Sequence, residues 1–365
     1  GTFMIYYKGM LTADAGVYKG YGSEHTRYYH QATVGHNGLL IFDPNKSNTN
    51  STDKATKWYS GGQIWPKEAT NLTELKSETY LTGKVIGKGH GYYDDAKTQP
   101  KYAYIGGNIT NAYDAATVDF VGRRMLTVYT GDENVPMAFF VYDTITADSA
   151  SYAKKFLLHI TSPDAPTVNS TKKTIETKNG DGRLVLTCLS DNVSFKGIGG
   201  RTLVNGTYTP STSKNYLING VQNTVDYDDK TWGRVEITST SNAKSDKMLN
   251  VMYVTDKDNT TNYESKPITN VSTNLSAGDV EGAVFNNSIV AVFAKKNIIS
   301  SSSYLSTAIS FTAEGNSSMQ YYVDGLAGGT WQIKVDGNVI TTATSSNGLL
   351  TFTAPAGNVT LTKTA

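Results

Sequence analysis

Three of the five histidines in this 365-residue chain, His25, His30 and His36, fall within twelve residues. The same stretch carries Tyr18, Tyr21, Tyr28 and Tyr29, and Asp14 stands just ahead of it. A carboxylate and an imidazole make a reasonable ligand pair for Zn²⁺ or Mn²⁺. Two ligands do not complete a site, so a third must come from elsewhere, including residues upstream. Tyr21 lies between two glycines in "KGYGSE", which frees the backbone and leaves the phenol unscreened. Such a tyrosine can take or give a proton where nearby positive charge lowers its pKa. His25, Tyr28 and Tyr29 suit an aromatic platform for sugar rings. Each residue also has an ordinary reading. Asp14 in "ADAG" is a turn carboxylate, Tyr21 an exposed loop aromatic, and His36 a hydrogen-bonded residue at a strand end.

The elements that must hold these residues read almost entirely as strand and turn. "RMLTVYT", "MAFFVYDTI", "KFLLHIT", "RLVLTCLS", "RVEITST", "KMLNVMYVT", "SIVAVFAK", "WQIKVDG" and "LLTFTAP" are short and rich in β-branched or aromatic residues. "DG" at 181–182, 324–325 and 336–337 and "NG" at 37–38, 179–180, 205–206, 219–220 and 347–348 mark turns between them. The spacing predicts an all-β chain, a large antiparallel β-sandwich of stacked sheets rather than βαβ units. Only 67–79 suggests a helix, and a short one. Residues 1–305 are expected to form the sandwich. Residues 306–365 are either a small β module or its final strands.

Composition narrows the function. The net charge of +1 offers no basic excess for nucleic acid. No apolar run is long enough for a membrane-spanning helix. The single cysteine, Cys188, excludes an intrachain disulfide framework and reads as a buried strand thiol. The low charge with abundant Ser, Thr, Asn, Gly and Tyr fits a secreted or periplasmic bacterial protein. The chain opens on alternating residues, Phe3, Ile5 and Tyr7 against Met4 and Tyr6, with no leader, so further residues are expected upstream.

The run "GTFMIYYKGMLTADAGVY…GYGSEHTRYYHQATVGHNGLLIFDP" resembles the β-sheet half of the heparinase II/III-like polysaccharide lyases. That family shows His-x-Asp-x-Gly-x-Phe, a strand, Gly-x-Leu-x-x-Asp-x-Gly-x-Tyr, a tyrosine-rich loop and Thr-x-x-His-Asn. Gly1, Phe3, Gly9, Leu11, Asp14, Gly16, Tyr18, Thr33, His36 and Asn37 match. The segments "VYDTITADSASYAKKFLLHITSPDAP", "GIGGRTLVNG" and "WGRVEITST" are similar to further pieces of it. The family's first histidine, about four residues before Gly1, is absent here, as is its N-terminal helical toroid.

The resemblance implies a lyase that cleaves a uronic-acid polysaccharide by β-elimination, with alginate as the leading substrate. Heparin or heparan sulfate, chondroitin and hyaluronan are the alternatives. It implies Tyr21 as the catalytic tyrosine, with Tyr28 as runner-up, and His25 and Tyr28 along the sugar cleft. Asp14 and His36 would hold one divalent metal, Zn or Mn, in a structural role. The partners implied are the acidic polysaccharide and the toroid segment, and neither nucleic acid nor membrane. A non-catalytic carbohydrate-binding β-sandwich is the competing reading; it has no reason to carry Asp14, Tyr21 and His36 together. A glycoside hydrolase would need a carboxylate pair, and none stands out.

Overall fold

The computed structural model describes residues 1–64, 68–77, 80–200, 202–204, 207–209, 215–223, 229–269 and 279–364. Four sheets stack in layers, and the burial pattern of each strand tells which layer it occupies. Met137–Ala147 and Ser245–Asp256 are buried along nearly their whole lengths. Such strands must be covered on both faces. They lie at the centre of an eight-stranded antiparallel sheet. Its order is Lys84–Tyr92, Pro100–Asn108, Val118–Tyr129, Met137–Ala147, Ser245–Asp256, Gly182–Cys188, Thr174–Asn179 and Thr167–Asn169. Cys188 is buried at the end of its strand.

One face packs Val141, Ile145, Leu184 and Met252 against Leu39, Phe156, Leu158 and Val235. These last belong to a four-stranded sheet, ordered Val193–Gly199, Gly233–Ser239, Ala153–Ile160 and Leu39–Phe42. The other face packs Phe140, Tyr142, Val251 and Tyr253 against Ala283, Phe285, Ala291 and Phe293. Those residues lie on a five-stranded sheet of Ser265–Pro267, Val280–Phe285, Ile289–Ala294, Met319–Asp324 and Leu349–Ala354. A last four-stranded sheet, Ile309–Ala313, Gly357–Lys363, Gly329–Val335 and Asn338–Ser345, closes the stack. It buries Trp331, Ile333 and Val335 and leaves Gln332 and Lys334 less covered, the period-two pattern of a sheet with one wet face.

Of the two readings of 306–365, final strands fit the pairing better than a separate module. Ile289–Ala294 pairs in parallel with Met319–Asp324, so a cut at 305 would split one sheet. The stretch around 305 is a connection inside the C-terminal pair of sheets, with a single turn at Ser301–Ser303. Of the stretch 67–79, Leu72–Leu75 forms one helical turn, and the Asn71 side chain caps it by accepting from the Glu74 N–H at 3.0 Å. The turn pairs at 219–220, 336–337 and 347–348 have positive φ at both residues, as a two-residue type I′ hairpin requires; at 179–180 and 324–325 only the glycine does, and at 37–38 and 181–182 neither residue does. The pair at 205–206 lies outside the described residues.

Candidate functional site

A short hairpin, Ile5–Tyr6 with Met10–Thr12, carries the chain to Asp14. It sits on the turn 179–182 of the eight-stranded sheet. Asn179 Nδ2 donates to the Met10 carbonyl at 2.7 Å. Gly182 passes so close that a Cβ there would lie 1.8 Å from the Tyr7 carbonyl oxygen. Phe3 is wedged between Phe139 and Phe156, with ring centroids 5.2 and 6.1 Å away.

Asn37, beside His36, ties this N-terminal segment to the strand Ala153–Ile160. Its Nδ2 donates to the Phe3 carbonyl (2.8 Å) and to Thr12 Oγ1 (2.9 Å), and its Oδ1 accepts from the His159 N–H (2.8 Å). Arg123, 2% exposed, donates from Nη1 to the carbonyls of Gly1 (2.6 Å) and Asn37 (2.8 Å). Its Nε and Nη2 grip Asp143 at 2.7 and 3.0 Å. Burial pushes the Asp143 carboxyl upward, and the Arg123 guanidinium opposes that push.

Against this support Asp14 and His36 come together. His36 Nδ1 stands 2.9 Å from Asp14 Oδ1, with both side chains partly exposed. His36 Nδ1 is nevertheless a buried polar atom without a directed hydrogen bond. The two atoms are close but not aligned for a hydrogen bond. Carboxylate oxygen and imidazole nitrogen fit a borderline divalent cation. Among the described residues no group of three or more His, Cys, Asp or Glu gathers that could hold a metal ion.

The tyrosine loop follows, and its first half is fastened residue by residue. Asp229 Oδ2 accepts from the Gly16 N–H (2.8 Å), His25 Nε2 from Val17 (3.1 Å) and Thr26 Oγ1 from Lys19 (2.8 Å). Then the fastening stops. Gly20, at φ +92°, has nothing within 4 Å of where a Cβ would be, and Tyr21 is 86% exposed, edge-on to Tyr18 at 5.8 Å. The loop closes with a wide helical turn, Thr26–His30, in which the Gln31 N–H reaches back five residues to the Thr26 carbonyl at 2.9 Å. Helices of this width are rare and concentrate at functional sites.

That turn places its aromatics on opposite sides of the surface. Tyr29 is fully buried, stacked on His25 at 5.4 Å, and donates to the Asn215 carbonyl at 3.1 Å. Tyr28 is half-buried, with the Arg27 guanidinium 5.5 Å from its ring centre. Glu24 docks the neighbouring turn Lys54–Lys57: it accepts from Trp58 Nε1 (2.7 Å) and pairs with Lys54 (3.2 Å). The Trp58 bond, then Lys54, hold its carboxyl below the usual range. Lys57 lies 4.9 Å from the Trp58 ring centre. Arg27 on the loop and Lys57 on the neighbouring turn form a basic rim, with Lys54 beside them paired to Glu24.

His25 is placed differently from the sugar-cleft role expected of it. It is 2% exposed. Because Nε2 accepts from Val17, the proton sits on Nδ1 and is donated to Asn223 Oδ1 at 3.1 Å. Burial lowers its pKa, and neutral His25 positions the loop from beneath. The polar string "SEHTRYYH" gives no hint of this, because the cover comes from Tyr216 and Asn223, far along the chain. His159 is a buried strand residue whose Nε2 faces the Val34 carbonyl at 3.0 Å. His90 lies on the edge strand Lys84–Tyr92 and lines a separate cleft with Tyr102 and Asn347.

Several supporting residues escaped the sequence reading: Arg123, Asp143, Asp229 and Asn223. The first two left a signal, a charge inside an apolar strand in "VGRRMLTVY" and in "FFVYDTIT". A buried charge needs a partner. The other two left none.

Residues 1–220 match the family described as heparinase II/III-like, C-terminal, and residues 274–363 match the heparinase II C-terminal domain. Among solved structures, the chain is similar to the heparan sulfate lyase HepC from Pedobacter heparinus, at 14% identity and a TM-score of 0.44, over 78% of this chain and 35% of that one. It is likewise similar to a heparinase III, at 13% identity and a TM-score of 0.42, over 78% and 34%. It spans about a third of the length of these structures. No curated protein matches. With its matching motifs and its stacked antiparallel sheets, the chain belongs to the heparinase II/III-like C-terminal family.

Proposed function

We propose that the chain is the β-sheet half of a polysaccharide lyase that cleaves an acidic, uronate-containing glycan by β-elimination. A base removes the uronate C5 proton, the C4–O4 bond breaks as a C4=C5 double bond forms, and an acid protonates the departing O4. The carboxylate next to C5 must be neutralised for that proton to become acidic. Tyr21 is assigned the proton transfer. The observation that carries this role is its exposure: it is 86% exposed, more than Tyr18 beside it, on a loop whose flanks are anchored by Asp229, His25 and Thr26. Such a side chain is exposed to a ligand yet attached to a fixed base.

Asp14 and His36 are assigned one divalent metal, Zn or Mn, in a structural role. When bound it would supply a fixed positive charge that pins the hairpin to the turn at His36. A third ligand is assigned to the family's histidine about four residues before Gly1, and the rest of the catalytic cleft to the toroid half of the enzyme. The substrate class favoured is heparin or heparan sulfate in place of alginate. Both matching family descriptions carry the heparinase name, and the rim of Arg27 and Lys57 suits a sulfated chain. His25 moves from sugar binding to positioning, and Tyr28, under Arg27, keeps a place beside the substrate.

The test offers the enzyme heparan sulfate, chondroitin sulfate, hyaluronan and alginate in parallel and follows the ultraviolet absorbance of the unsaturated uronate product. Cleavage of heparan sulfate, lost in Tyr21→Phe, supports the reading. Cleavage of alginate alone overturns the substrate, and no cleavage of any of the four by the toroid-containing enzyme overturns the activity.

A further inference from the structure

A second site lies on a different part of the molecule. A cleft of about 490 Å³ opens where strand Pro100–Asn108 meets the five-stranded sheet, and it shares no lining residue with the tyrosine loop. That volume is within the range of roughly 300–1,000 Å³ typical of ligand pockets. Lys101 Nζ donates to Gln320 Oε1 at 2.9 Å and lies 5.6 Å from the centre of the Tyr93 ring. It makes no ion pair among the described residues. The one carboxylate in the lining, Asp132, is committed to Asn134, accepting from its N–H at 2.8 Å and its Nδ2 at 3.1 Å.

The walls are prepared. Gln320 is held by Nε2 donating to the Phe352 carbonyl (2.9 Å) and by Oε1 accepting from Thr353 (3.2 Å). Tyr93 is 50% exposed, and its hydroxyl is anchored on the Tyr129 carbonyl at 2.7 Å, so the ring is a fixed platform. Tyr322 also lines the cleft. It is 1% exposed, set edge-on against Tyr102 at 5.0 Å, and its hydroxyl has no partner. A buried hydroxyl left unpaired is costly, so it asks for an acceptor or donor that the chain does not provide.

We propose that this cleft is an accessory saccharide-binding site that takes one acidic sugar unit of a glycan. The sugar ring lies on Tyr93, its carboxylate or sulfate meets Lys101, and a hydroxyl reaches Tyr322. An aromatic face, an amide, hydroxyls and one uncommitted cation are what such a unit requires. The site holds the polymer on the enzyme and takes no part in cleavage. Its choice of an acidic ligand rests on the proposed lyase function.

The experiment is isothermal titration calorimetry on the 365-residue chain carrying Tyr21→Phe, which separates binding from cleavage. The probes are a heparan sulfate tetrasaccharide and neutral cellotetraose. The acidic probe is expected to bind, and Tyr93→Ala and Lys101→Ala each to weaken it about tenfold at unchanged thermal midpoint. Tyr322→Phe, which removes only the hydroxyl, is expected to weaken it as well. Equal affinity for cellotetraose, no binding of the acidic probe, or an affinity untouched by all three substitutions overturns the site. Failure of the lyase reading shows separately, as absence of unsaturated product from enzyme with Tyr21 intact.

Discussion

Arg123 and Asp143 face each other across adjacent strands, both buried, with Nε–Oδ1 at 2.7 Å and Nη2–Oδ2 at 3.0 Å. The remaining guanidinium nitrogen holds the carbonyls of Gly1 and Asn37. One buried ion pair thus anchors the segment before Asp14 and the residue after His36. Removing one partner strands the other charge in the core. Arg123→Met is therefore expected to destabilise the chain by about 3–5 kcal/mol, read from urea denaturation. A loss below ~1 kcal/mol would show that the pair is not buried as described.

Gly182 lies in a β-turn far from Asp14 in sequence, yet the hairpin leading to Asp14 rests on it. Its alanine Cβ would meet the Tyr7 carbonyl at 1.8 Å, a contact only backbone movement relieves. Gly182→Ala is expected to cost about 1–3 kcal/mol and to lower metal content and activity together. An alanine variant with wild-type stability and activity would contradict that seating.

Tyr21 is too exposed to matter for folding. Tyr21→Phe should leave the thermal midpoint unchanged and lower the rate of unsaturated-product formation by about 10²–10⁴-fold. Comparable loss in Tyr28→Phe with Tyr21→Phe active would transfer the role to Tyr28.

Asp14→Asn and His36→Gln should each abolish stoichiometric zinc or manganese, measured by elemental analysis of the purified enzyme. Chelation should lower the thermal midpoint of the wild type and leave these variants unmoved. Metal retained in both variants would exclude them as ligands.

His25 is buried neutral, with its folded pKa depressed by burial. Asp229 and the Asn223 amide act to raise it, while His30 acts with burial. The unfolded chain then binds the extra proton first. Stability is full above the unfolded value of about 6.5 and falls as pH drops below it. His25→Gln should flatten part of that decline in thermal midpoints taken between neutral and mildly acidic pH. A decline just as steep in the variant would assign it to other groups, His159 foremost, whose pKa burial also lowers.

Local features are legible in the chain alone. Alternating β-branched and aromatic residues mark the strands, because side chains in a strand point to opposite faces in turn. Asn-Gly and Asp-Gly mark the hairpins at 219–220, 336–337 and 347–348, where both residues reach positive φ. Asp14, Tyr21 and His36 stand out by type and spacing. Non-local relationships come from the fold. Periodicity says that a face is buried, not against which sheet, so it leaves open whether the residues past 305 finish the sandwich or stand apart. Asn37 meets the backbone of His159, and His25 meets Asn223, across long separations in sequence. Those contacts depend on how four layers stack. The stacking is set by apolar burial summed over whole sheets, which no short stretch of sequence records.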